Sequence, residues 1–286
     1  PAGWQVETPD QQITCSHVVI ASGNANTPRI PSWPGQERFV GQVLHSSAYR
    51  TGATWSGRRV LVVGFGNSGG EIAIDLVEHH AAAVTLSVRS PVNVIPRDLF
   101  GIPILSVGIV MSRLGSGLAD VVSAPILRAA VGDIRALGLR KLPYGPFTQI
   151  TREGRVPLLD IGTLQLVKDK KVEIQGGIER FSEQAVQFEG GMERPFDAVV
   201  LATGYTPSLE RFIEPVSELV DERGAPRASG SEVVPGLFCC GFNVAPTGML
   251  REIGIEANRI AAAIAEKRVS APNSADLRKP LKDRCS

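Results

Sequence analysis

Two apolar, β-branched runs in the chain end alike: Val18-Val19-Ile20-Ala21-Ser22-Gly23 and Val199-Val200-Leu201-Ala202-Thr203-Gly204. An unbroken apolar run of this kind predicts a parallel strand covered on both faces by helices. Each run follows an expected antiparallel excursion. Trp4 to Thr8 and Gln12 to Cys15 flank Pro9-Asp10, and Ile178 to Phe181 and Ala185 to Phe188 flank Ser182-Glu183. The second run also has an opening upstream. Arg59 to Val63 reads as a strand, Gly64-Phe65-Gly66-Asn67-Ser68-Gly69 as a tight turn, Gly70 to Val77 as a helix and Ala83 to Val88 as the next strand. That is a βαβ unit. The first run has no such opening, so the pattern predicts that an N-terminal βαβ unit is missing ahead of Pro1.

Two further stretches carry helical spacing. Between Leu99 and Leu142 lies an apolar segment with Gly and Pro breaks, in which Ile126, Leu127, Val131, Ile134 and Leu137 mark one amphipathic helix. A long helix is expected from about Met249 to Lys267, after the buried strand and turn Pro235 to Asn243.

The 286 residues are 43% hydrophobic and 21% charged, which excludes a disordered chain. A net charge of +1 argues against a nucleic-acid binder. The densest basic cluster, Arg278, Lys279, Lys282 and Arg284, sits in a polar tail. Gly101 to Met111 is too short to span a bilayer and contains Pro103, so no membrane association is expected. Cys15, Cys239, Cys240 and Cys285 show neither CxxC nor metal-ligand spacing. Cys239 and Cys240 read as buried structural thiols, and a reducing compartment, the cytoplasm, fits best.

Within the turn, Gly64 permits a tight bend, Gly66 lets the backbone approach a pyrophosphate, and Gly69 lets helix and strand pack closely. The helix start beyond Phe65, Asn67 and Ser68 offers free N–H groups and partial positive charge to phosphates. The second strand ends in Val88-Arg89-Ser90, with no carboxylate to accept a ribose 2′-hydroxyl. A guanidinium there suits a 2′-phosphate, so NADP is expected over NAD. No catalytic Ser/His/Asp set and no metal site is visible.

Phe39-Val40-Gly41-Gln42-Val43-Leu44-His45-Ser46-Ser47-Ala48-Tyr49 fits FxGxxxHxxxY, and with it the chain resembles the flavin-containing monooxygenases. The likeness continues through the glycine turn, Val88-Arg89-Ser90, Ile95-Pro96-Arg97, Pro157-Leu158-Leu159-Asp160-Ile161-Gly162 and Leu201-Ala202-Thr203-Gly204-Tyr205. The set is similar to the YUCCA-like branch and its bacterial relatives, over nearly the whole chain to about residue 268.

The resemblance implies an α/β flavoprotein with two dinucleotide-binding domains, a Rossmann-like NADP domain being inserted in an FAD domain. Residues 1–34 are then an FAD-domain remnant plus linker, and 35–203 the NADP domain with a helical insertion at 99–142. Residues 204–270 are the returning FAD domain and 271–286 a tail. Asn24 to Gly35 and Gly204 to Ser208 become the two linkers. His45 is expected in a loop between domains, positioning cofactor and linker, and Ser46 as a cofactor contact or a turn residue. Ala202, Thr203, Gly204 and Asn243 complete the cofactor-binding set. Gly241 is followed by Phe242 and Asn243 where many flavoprotein relatives carry Asp for the ribityl chain, a departure from the pattern.

By the same resemblance the cofactors are FAD and NADP. The partners are O2 and a small substrate: an indole-3-pyruvate-like 2-oxo acid, or a soft amine or sulfide. One oxygen atom enters the substrate and the other leaves as water. Without its front, the chain is not expected to hold FAD normally or to be active. Two other readings stay open. One is a flavoprotein reductase without oxygen transfer. The other is a non-catalytic NADP-binding fragment.

Overall fold

The computed structural model describes residues 3–214 and 218–270; the basic tail cluster and Cys285 lie outside the described residues. Strands β1, Trp4–Glu7, and β2, Gln12–Cys15, form an antiparallel hairpin that leads into β3, Val18–Ile20. In the proline-rich linker is β4, Thr27–Pro28. Then come β5, Gln42–His45, β6, Arg59–Val63, helix α1, Asn67–Glu78, and β7, Ala83–Ser87.

The next segment holds β8, Val94–Pro96, and the small hairpin of β9, Asp98–Leu99, and β10, Ile102–Pro103. The insertion supplies α2, Ile104–Met111, and α3, Ser116–Val131. The chain returns through α4, Pro146–Glu153, β11, Leu158–Asp160, α5, Thr163–Lys168, and β12, Val172–Gln175. An antiparallel meander follows, with β13, Ile178–Phe181, β14, Ala185–Phe188, and β15, Glu193–Pro195; its third strand carries no apolar pattern. After β16, Ala198–Leu201, and β17, Tyr205–Thr206, the chain ends in β18, Ser231–Val234, β19, Leu237–Cys239, and α6, Met249–Ser270.

The main sheet is wholly parallel, in the order β12-β7-β6-β16-β5. Side chains alternate across a strand, so β6 and β16 feed two cores. Val60, Val62 and Val200 pack with Ile72, Ala73 and Leu76 of α1 and Leu164 of α5. Leu61, Val63, Val199 and Leu201 pack with Phe181, Val186 and Phe188. The second face is therefore covered by the β13–β15 meander, where the sequence pattern predicted helices. An apolar run reports that both faces are covered and is silent about what covers them.

A smaller sheet, β18-β19-β3, joins residues far apart in sequence. One face packs Ile20, Leu237, Cys239, Leu209 and Phe242; the other sets Phe238 and Cys240 against Ile260 of α6. Cys239 and Cys240 are thus buried on opposite faces, and burial together with its neighbour pushes the Cys239 thiol up to about 11. Strand β3 departs from its expected double cover. Val19, partner of the buried Phe238, is 44% exposed. The two linkers meet as an antiparallel pair, β4 with β17.

The insertion also differs from the expected single helix. Helix α3 stops at Gly132, whose φ of +82° breaks the helical path. Asp133 then caps a separate 3₁₀ turn, Ile134–Leu137, through the Arg135 N–H. Only Ile134 of the five marked residues is fully buried. Asp120 of α3 fastens the insertion to α4 by accepting the Phe147 and Thr148 N–H groups at 2.8 and 3.0 Å.

Asp197 ties the start of β6 to the start of β16. Its carboxylate accepts the Arg59 backbone N–H at 2.7 Å and both guanidinium arms at 2.7 and 3.1 Å. These bonds hold the carboxyl down at about 2. A depressed carboxylate adds stability above its ordinary value and loses it as pH falls through the folded value. Asp197→Asn should cost about 1 kcal/mol near pH 7, kept small by water around the half-exposed guanidinium. Urea midpoints of the two proteins should converge between about pH 4 and pH 2; a gap independent of pH would contradict the ion pair.

Candidate functional site

The register sets Val63, Ser87, Leu201 and His45 in one row across four parallel strands. The chain therefore leaves all four on the same side of the sheet. Gly64, Val88, Ala202 and Ser46 come next, and Phe65, Arg89 and Thr203 after them. This carboxyl edge is where open α/β sheets bind ligands. Most of the expected site residues converge there because strand pairing puts them there.

The glycine turn is built by exclusion. At Gly64, φ is +119°, and a Cβ would lie 2.4 Å from the Ala202 carbonyl oxygen. At Gly69 it would lie 2.3 Å from the Gly64 oxygen. At Gly66 a Cβ would meet nothing within 4 Å. Two glycines are thus required by the protein itself, and the third faces open space at the helix start. The first helical hydrogen bond runs from the Gly70 N–H to the Gly66 oxygen at 3.0 Å. The amides of Asn67, Ser68 and Gly69 precede it and have no helical acceptor. No acidic residue stands in the first turn of α1, so its partial positive charge is uncancelled.

Side chains of the turn serve the fold. Phe65 is buried in the α1 core, leaving only its backbone at the edge. Asn67 accepts the Leu159 N–H at 2.9 Å and so holds β11 beside α1. Ser68 is exposed.

Arg89 and Ser90 are exposed at the end of β7, the strand beside the glycine turn. The Arg140 guanidinium donates to the Arg89 carbonyl, which gives this strand end a second cation. The pair lies 51 residues apart in sequence, so no local signal marks it.

His45 is at the end of β5 and buried at 5% exposure, where the sequence reading set it in a loop. The Ser47 N–H donates to Nδ1 at 3.1 Å. The hydrogen is therefore on Nε2, which donates to the Gly204 carbonyl at 3.0 Å. The ring stands edge-on to Tyr205 at 5.0 Å. Gly204 also accepts the Arg29 N–H at 2.9 Å, and the Thr203 hydroxyl donates to the Arg29 carbonyl. His45, Thr203 and Gly204 thus bind the two linkers together. Ser46 Oγ is enclosed and has no hydrogen-bond partner. His45 and Arg89 are three strand spacings apart, roughly 14 Å, and do not act on one atom.

The rest of FxGxxxHxxxY is mechanical too. Phe39 packs edge-on to Phe181 at 5.4 Å. At Gly41 a Cβ would sit 2.5 Å from the Phe39 ring. Tyr49 donates to Asp75 of α1 at 2.7 Å, and the same carboxylate oxygen accepts the Gly52 N–H at 2.6 Å. Burial, then the Asp75 hydrogen bond, raises the Tyr49 phenol and keeps it protonated.

Beside the paired linkers is a cleft of about 1050 Å3, lined by Asn24, Arg29, Tyr205, Asn243 and Pro246 among others. It matches the upper end of ligand sites, about 300–1,000 Å3. Asn243 is exposed in it. Phe242 turns into the core, and the Asn24 amide donates to its carbonyl at 2.9 Å. The Gly241 N–H is taken by Glu256 of α6 at 2.7 Å. Glu256 is 2% exposed and also accepts Ser229 at 2.8 Å. Asn24, Asp75, Arg140 and Glu256 escaped the sequence reading, since each acts through a distant partner. Among the described residues, no cluster of His, Cys, Asp or Glu is placed to hold a metal ion, and no helix is long and apolar enough to cross a membrane.

Comparisons with known proteins agree with this geometry. The family model described as flavin-binding monooxygenase-like matches residues 3–224. Indole-3-pyruvate monooxygenase YUCCA8 of Oryza sativa subsp. indica is 38% identical over 278 residues, covering 92% of this chain and 65% of that protein. The probable indole-3-pyruvate monooxygenase YUCCA4 of Arabidopsis thaliana is 32% identical over 243 residues, with 84% and 59% covered. The chain thus spans less than two thirds of these relatives. Among solved structures, a mutant flavin monooxygenase from Stenotrophomonas maltophilia aligns with a TM-score of 0.61 at 23% identity, covering 92% of this chain and 67% of that one. OTEMO in complex with FAD and NADP aligns at 0.63 and 15%, covering 93% and 64%. These likenesses show the fold of two-dinucleotide-binding flavoproteins. On its sequence match and its fold, the chain belongs to the flavin-binding monooxygenase-like family.

Proposed function

We propose that this chain is the NADP-binding and FAD-closing part of a monooxygenase that uses NADPH and O2 to oxygenate a small organic substrate. The NADP domain is residues 35–203, flanked by FAD-domain segments 1–34 and 204–270. The substrate is an indole-3-pyruvate-like 2-oxo acid, a choice supported by the names of relatives at 32–38% identity. Among the described residues Cys15, Cys239 and Cys240 are free thiols, which supports a cytoplasmic setting.

One observation carries the reading: the row of strand ends sets an open-faced Gly66, three unbonded amides and Arg89 along one edge. Backbone N–H groups of Asn67, Ser68 and Gly69 would hold the diphosphate. Arg89, with Arg140 against its carbonyl, would hold the 2′-phosphate. For flavin, the cleft between the paired linkers and the loop before α6 is large enough, and the exposed Asn243 would offer its amide there. When bound, the two cofactors supply the hydride and the activation of O2. The chain's own residues bind, orient and exclude water. His45 and Gly204 fix the angle at which the linkers leave the sheet, and so where the cleft stands relative to the glycine turn.

Two variants separate fold from binding at the turn. Gly69→Ala forces a Cβ onto backbone and should cost roughly 3 kcal/mol of stability in denaturant unfolding. Gly66→Ala should melt within about 0.5 kcal/mol of the parent yet lose NADPH binding in a calorimetric titration. Equal affinity in Gly66→Ala would reject the phosphate assignment. At the strand end, Arg89→Ala should weaken NADPH by about tenfold or more while leaving NADH nearly unchanged. Equal losses for both nucleotides would remove the 2′-phosphate role.

A further inference from the structure

We infer that the open groove between α3 and the chain returning to α4 binds an anionic amphiphile whose amide hydrogen lies close to its charged end, an N-acyl amino acid being the simplest. This site shares no lining residue with the cleft beside the linkers and is independent of the monooxygenase reading. The groove holds about 430 Å3, within the range of small-molecule sites, about 300–1,000 Å3. One wall is a stripe of α3: Gly117, Val121, Ala124, Arg128 and Val131. Its alternating four- and three-residue steps keep it on one face of the helix. The stripe runs about 21 Å along α3, so the groove takes a chain lengthwise. Its floor is aliphatic and buried, with Val94 and Ile134 at 7% and 4% exposure, while Val121 on the wall is open to solvent.

The polar groups of the groove define what it takes. Asn93 lines it and is 4% exposed. Asn93 Nδ2 donates to the Tyr144 carbonyl at 3.0 Å and to Gln149 Oε1 at 3.1 Å, which uses both amide hydrogens. Its Oδ1 has no hydrogen-bond partner among the described residues, yet it is not sealed in by protein atoms. It is therefore an acceptor reached through the groove. Lys141 stands beside it, because Val92, the preceding residue, bridges to Lys141 in parallel. Arg128 enters from α3. Both cations are exposed, and neither has an acidic partner among the described residues. The carboxylate in the groove, Asp120, is committed to the Phe147 and Thr148 N–H groups. An empty acceptor beside two free cations calls for the reverse pattern in a ligand: a donor beside an anion. In an N-acyl amino acid one carbon separates the amide N–H from the carboxylate. Its head then meets Asn93, Lys141 and Arg128, and its acyl chain lies along the α3 stripe over Val94 and Ile134.

The test is a calorimetric titration of the chain with N-decanoylglycine and two isosteres. Decanoyloxyacetate has an ester oxygen in place of the N–H, and N-decanoylglycinamide lacks the charge. N-decanoylglycine should bind saturably, and each isostere about tenfold more weakly. Arg128→Gln and Lys141→Gln, both at exposed positions, should weaken N-decanoylglycine severalfold and leave N-decanoylglycinamide unchanged. Ala124→Trp, on the exposed side of α3, fills the groove and should abolish binding without lowering the melting temperature. Saturating NADPH should leave the affinity for N-decanoylglycine as it was. Absence of saturable binding, equal affinity for the acid and its ester isostere, or unchanged binding in Ala124→Trp would overturn the inference. Displacement of N-decanoylglycine by NADPH would also overturn it, by giving the groove to the nucleotide.

Discussion

The site depends on one steric constraint: two strand ends and a helix meet with only backbone between them. The Ala202 carbonyl fills the space a Gly64 side chain would need, and the Gly64 carbonyl fills that of Gly69. This double contact draws the start of α1 over the edge of β6 and β16. It also leaves Gly66 facing outward and the first amides of α1 without helical acceptors. The proposed anion site would follow as a by-product of close packing, because helix starts carry unsatisfied donors wherever they are brought to a sheet edge. In the proposed function Arg89, exposed at the neighbouring strand end, would add selectivity by its charge.

The FxGxxxHxxxY stretch reads as a brace for that arrangement. One end is anchored in the aromatic core by Phe39 against Phe181. The other holds α1 through Tyr49 and Asp75. Between them His45 reaches the carbonyl of Gly204, where the chain leaves the sheet. Its tautomer is set by the Ser47 amide, which occupies Nδ1. Each marked residue thus fixes the helix, the sheet edge or the linker relative to the others. None is a reacting group, which agrees with chemistry carried by cofactors.

Legibility in the sequence followed the range of the interactions. The βαβ unit was readable because β6, the turn and α1 are consecutive and each has a period of its own. The hairpin of β1 and β2 was readable from its turn residues. The meander's third strand was not, since Glu193–Pro195 is polar and is defined only by its pairing with β14. Phe242 sits where an acidic ligand residue was looked for, and only the packed core shows that its ring turns inward. Arg140 reaches Arg89, and Glu256 reaches Gly241, across separations that leave no trace in a window of residues. Val19 reads as buried because its neighbours are apolar, whereas cover depends on what packs over the strand from elsewhere in the chain.

In the proposed function, backbone amides at the glycine turn grip a dinucleotide phosphate. Amide hydrogen exchange, with and without saturating NADPH, reports on those amides directly. Slowed exchange confined to Gly66 through Gly70 and the Arg89 strand end, with Leu237–Cys239 unchanged, is the expected result. NADPH binding that leaves exchange at Gly66 through Gly70 unaltered would contradict it.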